Sequence, residues 1–442
     1  MNPWISNKLA YLHFRIFELV SIETIKLDSG AKRAVLIASG VICLTSAYFF
    51  AKWGFANTAS IRPDSPEVAV LAAELAPDDP QTHYAAAVLL EKTFVPEDVQ
   101  RSLAELEKAT SLSPNNYLLW LELGKARERS GDQPGAESAL RKSLQLAPNY
   151  AAVHWTLGNA LLRAGKADEA FDEIRKAVAG DPAYTNVAAS TAWAILGGDM
   201  ARVRAALGDS TQLNAALATL LSGQKRFDEA FDVWNAIGTD EKNTTQKPRG
   251  EVLLRQLVEA GKYRLARRVA AEIGMGTEYG GSAGEISNGG FEDILKMQNA
   301  GIFEWRIADG PGPRIGPTDG QKSSGNYSLL MSFGAENKAF RQVSQTMAVE
   351  PGRTYELELS YRSDLKTTAT FKWEIADASG GKAIIATLPI TNNADWTSLQ
   401  AVFAIPENTE GVVLRLVREN CDAVLCSVSG NLWFDDFRLK SH

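Results

Sequence analysis

The chain is poor in the residues that usually build metal centres and catalytic sites. Its 442 residues include only three cysteines and four scattered histidines, so a zinc site is not expected. It also lacks an H-E-x-x-H helix, a phosphate-binding loop and a G-x-G-x-x-G turn after a strand, and its G-x-S-x-G match at residues 280–284 (GGSAG) lies in a glycine-rich segment without the strand and helix of a nucleophile elbow. These absences argue against an enzyme and favour a binding protein without cofactors.

Positive charge is not concentrated anywhere in the chain. Lysine and arginine number 46 against 53 aspartates and glutamates, which gives a net charge of −7. A protein that binds nucleic acid needs a basic patch to neutralise phosphates, so no nucleic-acid partner is expected. The length exceeds what a single core usually holds, and more than one domain is expected.

One uncharged apolar stretch lies near the N-terminus. Residues 34–51 carry no charge, and Trp53 and Phe55 follow as aromatic anchors, so 34–55 is long enough to span a bilayer. Lysines and arginines are frequent before this stretch and sparse just after it. The imbalance predicts a single-pass inner-membrane protein with residues 1–33 in the cytoplasm and the remaining chain in the periplasm of a Gram-negative-like cell.

A cleaved signal peptide is the alternative to an anchor. The segment 54–56 (Gly-Phe-Ala) is a tolerable cleavage site, although the polar leader at 1–33 is long for a signal peptide. Before the span, apolar residues between Leu9 and Ile22 recur at near-helical spacing. They fit a helix on the cytoplasmic membrane face, a partner-binding helix or a weakly ordered tail.

Two consecutive segments of equal length share one pattern. Residues 115–148 and 149–182 align without gaps, with a Leu-Gly pair and a closing proline at equivalent positions. Small residues allow two helices to approach closely, and the proline ends the second helix. Both the pattern and its period resemble the tetratricopeptide repeat (TPR), a helix–turn–helix unit. The resemblance implies an α-solenoid over residues 56–273, with weaker flanking copies and no assignable unit between Tyr184 and Ser210.

In TPR units the first helix of each pair lines a concave groove. Counting along these helices places six side chains there: Leu118, Leu121, Lys125, Trp155, Asn159 and Leu162. We expect a protein partner to bind this groove, with Trp155 beside Asn159 as its centre. The alternative is that Trp155 packs between neighbouring helices, because exposed and buried aromatic residues give the same spacing.

The composition changes after residue 273. Residues 274–285 are rich in glycine and predict a linker, and beyond them apolar and polar residues alternate, as in residues 355–362. About nine such runs, separated by Gly, Pro, Asn and Asp, predict antiparallel strands. Because each sheet must bury its apolar face, we expect an all-β sandwich over residues 286–442. The chain is thus expected to be multidomain, with a transmembrane helix, an all-α solenoid and a β-sandwich.

Motifs at the two ends of this β region are specific for one fold. Residues 288–292 (NGGFE) open it, and residues 432–439 (LWFDDFRL) close it. In this order they resemble galactose-binding-like jelly rolls, particularly carbohydrate-binding modules of the family 4/9 type. The resemblance implies a polysaccharide ligand for some members of the fold and does not name the ligand.

Three acidic residues in these motifs are candidate calcium ligands. The first and last strands of this fold lie side by side, so Glu292 could converge with Asp435 or Asp436 on one cation. Relatives often carry a structural calcium near these positions. The alternative is that Glu292 caps a turn and the aspartates face solvent.

Sugar binding needs flat aromatic rings beside planar hydrogen-bonding groups on an open face. The candidates are Trp305, Tyr327, Arg362 and Trp433, with Trp373, Asn326, Glu358 and Arg415 as further possibilities. For any one aromatic residue the alternative is a place in the core. Trp373 and Trp396 are expected in the core because they alternate with polar residues.

The three cysteines predict at most one disulfide. Cys421 and Cys426 bracket a short turn, and an oxidising compartment favours a disulfide between them, with a stabilisation of about 2–3 kcal/mol. Cys43 lies within the apolar span and is expected only to pack.

Together these features predict a periplasmic scaffold for the assembly or export of an envelope or extracellular polysaccharide. The alternative is an assembly factor of a secretion, pilus or respiratory complex, in which the jelly roll contacts protein.

Overall fold

The computed structural model describes residues 29–61, 63–275, 283–337, 340–419 and 426–442. The chain forms two compact units, Met1–Ala170 and Phe171–His442.

An apolar helix opens the described part of the first unit. Helix α1 (Gly30–Ile61) is the one helix among the described residues that is long and apolar enough to cross a membrane. Its side chains from 30 to 51 are exposed, whereas Ala56 and Ser60 are buried. Ala56 packs with Ala72 and Ala76 at helix α2 (Pro66–Leu75). The apolar helix therefore continues without a break into the packing of the helical region.

The next helices are α3 (Pro80–Glu91), α4 (Pro96–Leu112), α5 (Tyr117–Arg129), α6 (Gln133–Leu146), α7 (Ala151–Arg163) and α8 (Ala167–Gly180). α3 packs on α4, and α5 packs on α6. α7 and α8 begin and end at the same places in the second repeat as α5 and α6 do in the first. The repeats at 115–148 and 149–182 are thus confirmed, helix for helix.

Small residues at the repeat positions allow close helix packing. A Cβ atom on Gly124 would lie 2.6 Å from Cγ of Leu140, so glycine lets α5 approach α6. Leu140 itself is fully buried. At the other end of the pair, Oγ of Ser143 donates a hydrogen bond to the Tyr117 carbonyl at 2.8 Å. The two helices are therefore in close contact both near their middles and at the start of α5.

A ring nitrogen recurs in the first turn of three first helices. It bonds the carbonyl oxygen of the proline six residues earlier: His83 to Pro77 at 2.9 Å, Trp120 to Pro114 at 2.9 Å and His154 to Pro148 at 2.8 Å. The sequence pattern accounts for closing prolines only as helix stops. Their carbonyl groups also fix the turn between successive units.

One of these rings makes stability depend on pH. Nδ1 of His83 bonds the Glu105 carboxylate, which raises the pKa of His83 above 6.5, although burial opposes the rise. The stabilisation from this pair is therefore complete below pH 6.5 and is lost as the pH rises through the raised pKa. We expect the melting temperature of the helical region, followed by circular dichroism, to fall across that range.

The same fall should be much smaller in Glu105→Gln. His154→Gln, the matched control, should keep the wild-type pH dependence because the pair of His83 and Glu105 is intact. An unchanged pH dependence in Glu105→Gln would contradict this origin.

The second unit begins within α8, and shorter helices follow it. A 3-10 turn (Pro182–Tyr184) precedes α9 (Thr185–Ile195), α10 (Met200–Leu207), α11 (Thr211–Gly223), α12 (Phe227–Asn235), α13 (Thr239–Asn243), α14 (Lys247–Glu259) and α15 (Tyr263–Glu272). α11 packs on α12 and α14 on α15, while α9 stacks on α11 and α11 on α14. α9 and α10 occupy the stretch in which the sequence showed no unit.

A β-sandwich completes the second unit. Its strands are β1 (Arg306–Ile307), β2 (Arg314–Thr318), β3 (Ser328–Asn337), β4 (Val343–Ala348), β5 (Thr354–Ser363), β6 (Lys366–Thr367), β7 (Thr370–Asp377), β8 (Ala383–Ala386), β9 (Asn393–Ala404), β10 (Gly411–Glu419) and β11 (Val428–Ser441). One sheet has the order β1-β4-β10-β7-β8; the other has the order β2-β3-β11-β5-β9, with β6 paired to β11. All described pairings are antiparallel, which confirms the predicted sandwich.

Helix α15 packs against β4 and the nearby loops of the five-stranded sheet. A Cβ atom on Gly411 would lie 2.3 Å from the Tyr263 ring, and Nζ of Lys262 lies 3.0 Å from Oε1 of Glu410. The last helix before the predicted linker therefore contacts the sandwich that follows the linker. Residues 276–282 of the linker lie outside the described chain.

Candidate functional site

The outer face of the six-stranded sheet has Trp433 near its centre. On β5 the side chains alternate between buried and half-buried, and Arg362 belongs to the half-buried, outward set. Trp433 on β11 lies opposite Arg362 on one side and opposite Leu330 of β3 on the other. Because paired residues share a face of the sheet, these three side chains are neighbours on its outer surface.

Trp433 and Arg362 form a planar pair. The guanidinium carbon of Arg362 lies 5.7 Å from the centroid of the half-buried indole ring. Nη1 of Arg362 donates to Oε1 of Gln321 at 2.6 Å, which holds the guanidinium in place. An aromatic ring beside a fixed planar donor can contact the apolar face of a sugar and bond its hydroxyl oxygens.

The loop at 319–327 borders this face, and two carboxylates anchor it. Oδ2 of Asp435 accepts hydrogen bonds from the N–H groups of Ser323 and Ser324 at 2.8 and 3.1 Å. Oε1 of Glu292 accepts from the N–H groups of Asn326 and Tyr327 at 2.7 and 3.0 Å. The anchored loop carries Tyr327, whose side chain is 43% exposed.

Gly325 is required for this loop geometry. Its φ of +58° is a left-handed conformation, and a Cβ atom would lie 2.1 Å from Oε1 of Glu292.

The two anchoring carboxylates differ in the direction of their pKa shifts. Burial raises the pKa of Asp435, against the effect of its N–H donors. The N–H groups of Tyr327 and Asn326 lower the pKa of Glu292.

This geometry does not fit the predicted calcium site. Glu292, Asp435 and Asp436 do converge on one loop, but their oxygens already accept hydrogen bonds, including that from Oγ of Ser324 to Asp436 at 2.7 Å. In the part of the chain that the structure describes, no group of three or more His, Cys, Asp or Glu residues is placed to hold a metal ion. The three acids act as loop anchors, and the calcium prediction is corrected accordingly.

Trp305 does not belong to the outer face. It is 2% exposed, and its ring centroid lies 5.0 Å from that of Phe437 and 5.4 Å from that of Phe291. Its Nε1 donates to the carbonyl oxygen of Asn288 at 3.0 Å. A ring enclosed on this scale cannot stack on a ligand, so the prediction of a glycan contact for Trp305 is wrong.

The other aromatic and polar candidates also differ in whether they are buried or lie on the outer face. Trp373 is fully buried, as expected, whereas Trp396 is only half-buried on β9. Arg415 lies on the five-stranded sheet and pairs with Glu374, so it is not on the outer face near Trp433. Glu358 is on the outer face and accepts a hydrogen bond from Gln400 at 3.0 Å, while the amide of Asn326 bonds Glu292 at 3.2 Å.

The six predicted groove residues of the first unit differ in exposure. Leu118 is 38% exposed, and Lys125, Trp155, Asn159 and Leu162 are half-buried. Nδ2 of Asn159 donates to the Trp155 carbonyl at 2.8 Å. Leu121 is 3% exposed and packs with Leu140 and Leu157, so its placement in an open groove is wrong.

Cys421 falls in 420–425, outside the described residues. The predicted disulfide between Cys421 and Cys426 therefore stays a prediction.

Residues 283–422 match the CBM_4_9 family, described as a carbohydrate binding domain. A solved family 4 module (CBM4) aligns with 36% of this chain and 99% of its own, at 18% identity and a TM-score of 0.27. TmCBM61 in complex with β-1,4-galactotriose aligns with 36% of this chain and 100% of its own, at 15% identity and a TM-score of 0.28.

The crystal structure of MamA aligns with 45% of this chain and 90% of its own, at 16% identity and a TM-score of 0.27. No curated protein sequence matches the chain. The chain therefore carries a CBM_4_9 carbohydrate binding domain at its C-terminus, preceded by a TPR-like helical region.

Proposed function

We propose that this protein is a membrane-anchored periplasmic scaffold that holds a protein partner and a glycan during assembly or export of an envelope or extracellular polysaccharide. It acts by binding and performs no catalytic step. The observation that carries the proposal is the match of residues 283–422 to a carbohydrate binding domain. The outer sheet face of that domain, with Trp433 beside Arg362, is the surface on which we place the glycan.

Glycan binding at this face should be weak for each site. One indole and the rim residue Tyr327 supply the aromatic surface, and polar groups such as Gln321 must shed water before they bond a sugar. We expect dissociation constants between millimolar and micromolar, which correspond to about 4–8 kcal/mol. Several protein chains bound along one polysaccharide would still hold it, because their weak affinities combine through multivalency.

The packing of α1 favours an anchor over a cleaved signal peptide. The tolerable cleavage site at 54–56 lies within a continuous helix whose Ala56 is completely buried in a cluster with Ala72 and Ala76. Cleavage there would remove the apolar part of a helix that packs against α2. The exposed apolar side chains of 34–51 then have the bilayer as their natural solvent.

Membrane topology provides the first test. A reporter that is active only in the cytoplasm should give no signal when it is fused after Ile61, because the positive charges before the span retain the N-terminus inside. The same reporter fused after Asp28 should give a strong signal. Strong signal after Ile61 would contradict the proposed orientation.

The helical groove provides the second test. Trp155→Ala should reduce capture of the membrane-associated protein partner by about tenfold or more, because large aromatic residues dominate interfaces. The melting temperature should change little, since Trp155 is only half-buried.

Leu121→Ala is the matched comparison and should instead destabilise the unit by about 2–5 kcal/mol. A large loss of melting temperature in Trp155→Ala, with capture intact, would show that Trp155 packs between helices.

A further inference from the structure

We propose that a cationic cleft in the second unit binds an acidic glycan through its carboxylate groups. The cleft has a volume of about 860 Å³ and is bounded by α12, α15 and the sandwich residues Ala348, Glu350 and Glu410. Those sandwich residues flank β4 and β10 of the five-stranded sheet, whereas Trp433 lies on the other sheet. The cleft is therefore a second site, distinct from the outer face around Trp433.

The charges in this cleft do not balance. Its cations are Lys225, Arg226, Lys262, Arg264, Arg267 and Arg268, and its acids are Asp228, Glu229, Glu350 and Glu410. Three of the acids are engaged in ion pairs: Glu229 with Arg226 at 2.6 Å, Glu410 with Lys262 at 3.0 Å and Glu350 with Arg353 at 2.6 Å. Within the described residues, four of these cations have no carboxylate at ion-pair distance: Lys225, Arg264, Arg267 and Arg268.

Arg267 is the most informative of these cations. It is only 4% exposed, and its Nη2 donates to Oγ of Ser287 at 3.2 Å. Its guanidinium carbon lies 5.3 Å from the centroid of the Phe303 ring, and Glu285 acts on it only at longer range. Burying a guanidinium without a paired carboxylate is costly, so Arg267 adds an uncompensated positive charge to the wall of the cleft, and this charge favours an anion there.

Two exposed arginines extend the same surface along α15. Arg264 and Arg268 are four residues apart and lie on one side of the helix. The guanidinium carbon of Arg268 lies 4.2 Å from the centroid of the Phe231 ring, which orients it beside the cleft. Guanidinium groups bind carboxylates through two parallel hydrogen bonds, and this favours a ligand with several spaced carboxylates.

The size of the cleft and its position favour an oligosaccharide over a simple anion. A volume of 860 Å³ lies within the range of small-molecule sites, and a single phosphate would leave most of it empty. The cleft also borders the carbohydrate binding domain. The choice of a uronic-acid glycan among carboxylate ligands rests on the proposed function.

The test is calorimetric titration of the full chain in nanodiscs of zwitterionic lipid. Tetragalacturonate should bind, its methyl ester should bind at least about tenfold more weakly, and added salt should weaken the binding. Arg264→Gln/Arg268→Gln should lose about tenfold or more in affinity. Arg202→Gln/Arg255→Gln removes two exposed arginines of the same unit outside the cleft and should bind like the wild type.

Absence of tetragalacturonate binding, equal binding of the methyl ester, or unchanged affinity in Arg264→Gln/Arg268→Gln would overturn the cleft proposal. Inorganic phosphate that binds as tightly as tetragalacturonate would also overturn it. Arg264→Gln/Arg268→Gln should leave the binding of a neutral glycan unchanged, because Trp433 lies on the other sheet. A failure of this proposal is therefore separable from a failure of glycan binding at the Trp433 face.

Discussion

Replacing Trp305 with alanine should destabilise the sandwich by about 3–5 kcal/mol. The indole is almost completely buried and packs against Phe291, Phe437 and Trp373. Its removal would leave a large cavity and would also leave the Asn288 carbonyl without its Nε1 donor. Trp305 is thus expected to carry stability and to contribute nothing directly to ligand contact.

Urea unfolding of the full chain, followed by near-ultraviolet circular dichroism, measures this loss. Trp433→Ala is the matched control, because it truncates a half-buried tryptophan of the same domain and should cost far less. Equal destabilisation by the two substitutions would contradict the assignment of Trp305 to the core and Trp433 to the surface.

Trp433→Ala should lower the affinity for a neutral glycan by about tenfold or more. The indole is the main apolar platform of the outer face, and the Arg362 guanidinium beside it loses its stacking partner when the ring is removed. Titration of the full chain with the glycan to which the wild type binds best gives the affinity. Arg362→Gln should weaken binding in the same direction, because it removes the planar donor.

Leu388→Ala is the control for this substitution. Leu388 is 74% exposed and lies outside β3, β5 and β11, the strands that form the surface around Trp433. It should bind like the wild type. Unchanged affinity in Trp433→Ala would remove the outer face of the six-stranded sheet as the site.

The helical repeats were predictable because a fixed period constrains many residues at once. The gapless alignment of 115–148 with 149–182 is matched by helix boundaries exactly one period apart. The period fails at α9 and α10, which are only 11 and 8 residues long. A shortened helix pair still has an apolar face, but its residues no longer fall at the intervals of the repeat, so the repeat cannot be recognised in the sequence.

The site was less predictable because alternation along a strand does not say which side faces the core. Trp433 stands between Leu432 and Phe434, so apolar residues surround it on both sides in the sequence. Only the pairing of β11 with β3 and β5 shows that its neighbours point inward. Asp435, next in the chain, is buried at a bulge where the alternation is interrupted.

The cationic cleft had no sequence signal. Lys225, Arg264 and Arg268 resemble ordinary solvated surface residues, and Lys225 lies about forty positions before the two arginines. The packing of α12 and α15 beside the sandwich brings them together. A charge cluster that forms only through tertiary contacts cannot be recognised from composition.

The central claim is that the C-terminal domain binds glycan, and a glycan array with the full chain in nanodiscs tests it most directly. The array should include neutral and acidic oligosaccharides and the polysaccharide of the cell from which the protein comes. The account predicts weak, multivalent binding to at least one glycan class that is lost in Trp433→Ala. Binding to no glycan, together with co-purification of a secretion component, would contradict it and favour a protein-assembly factor.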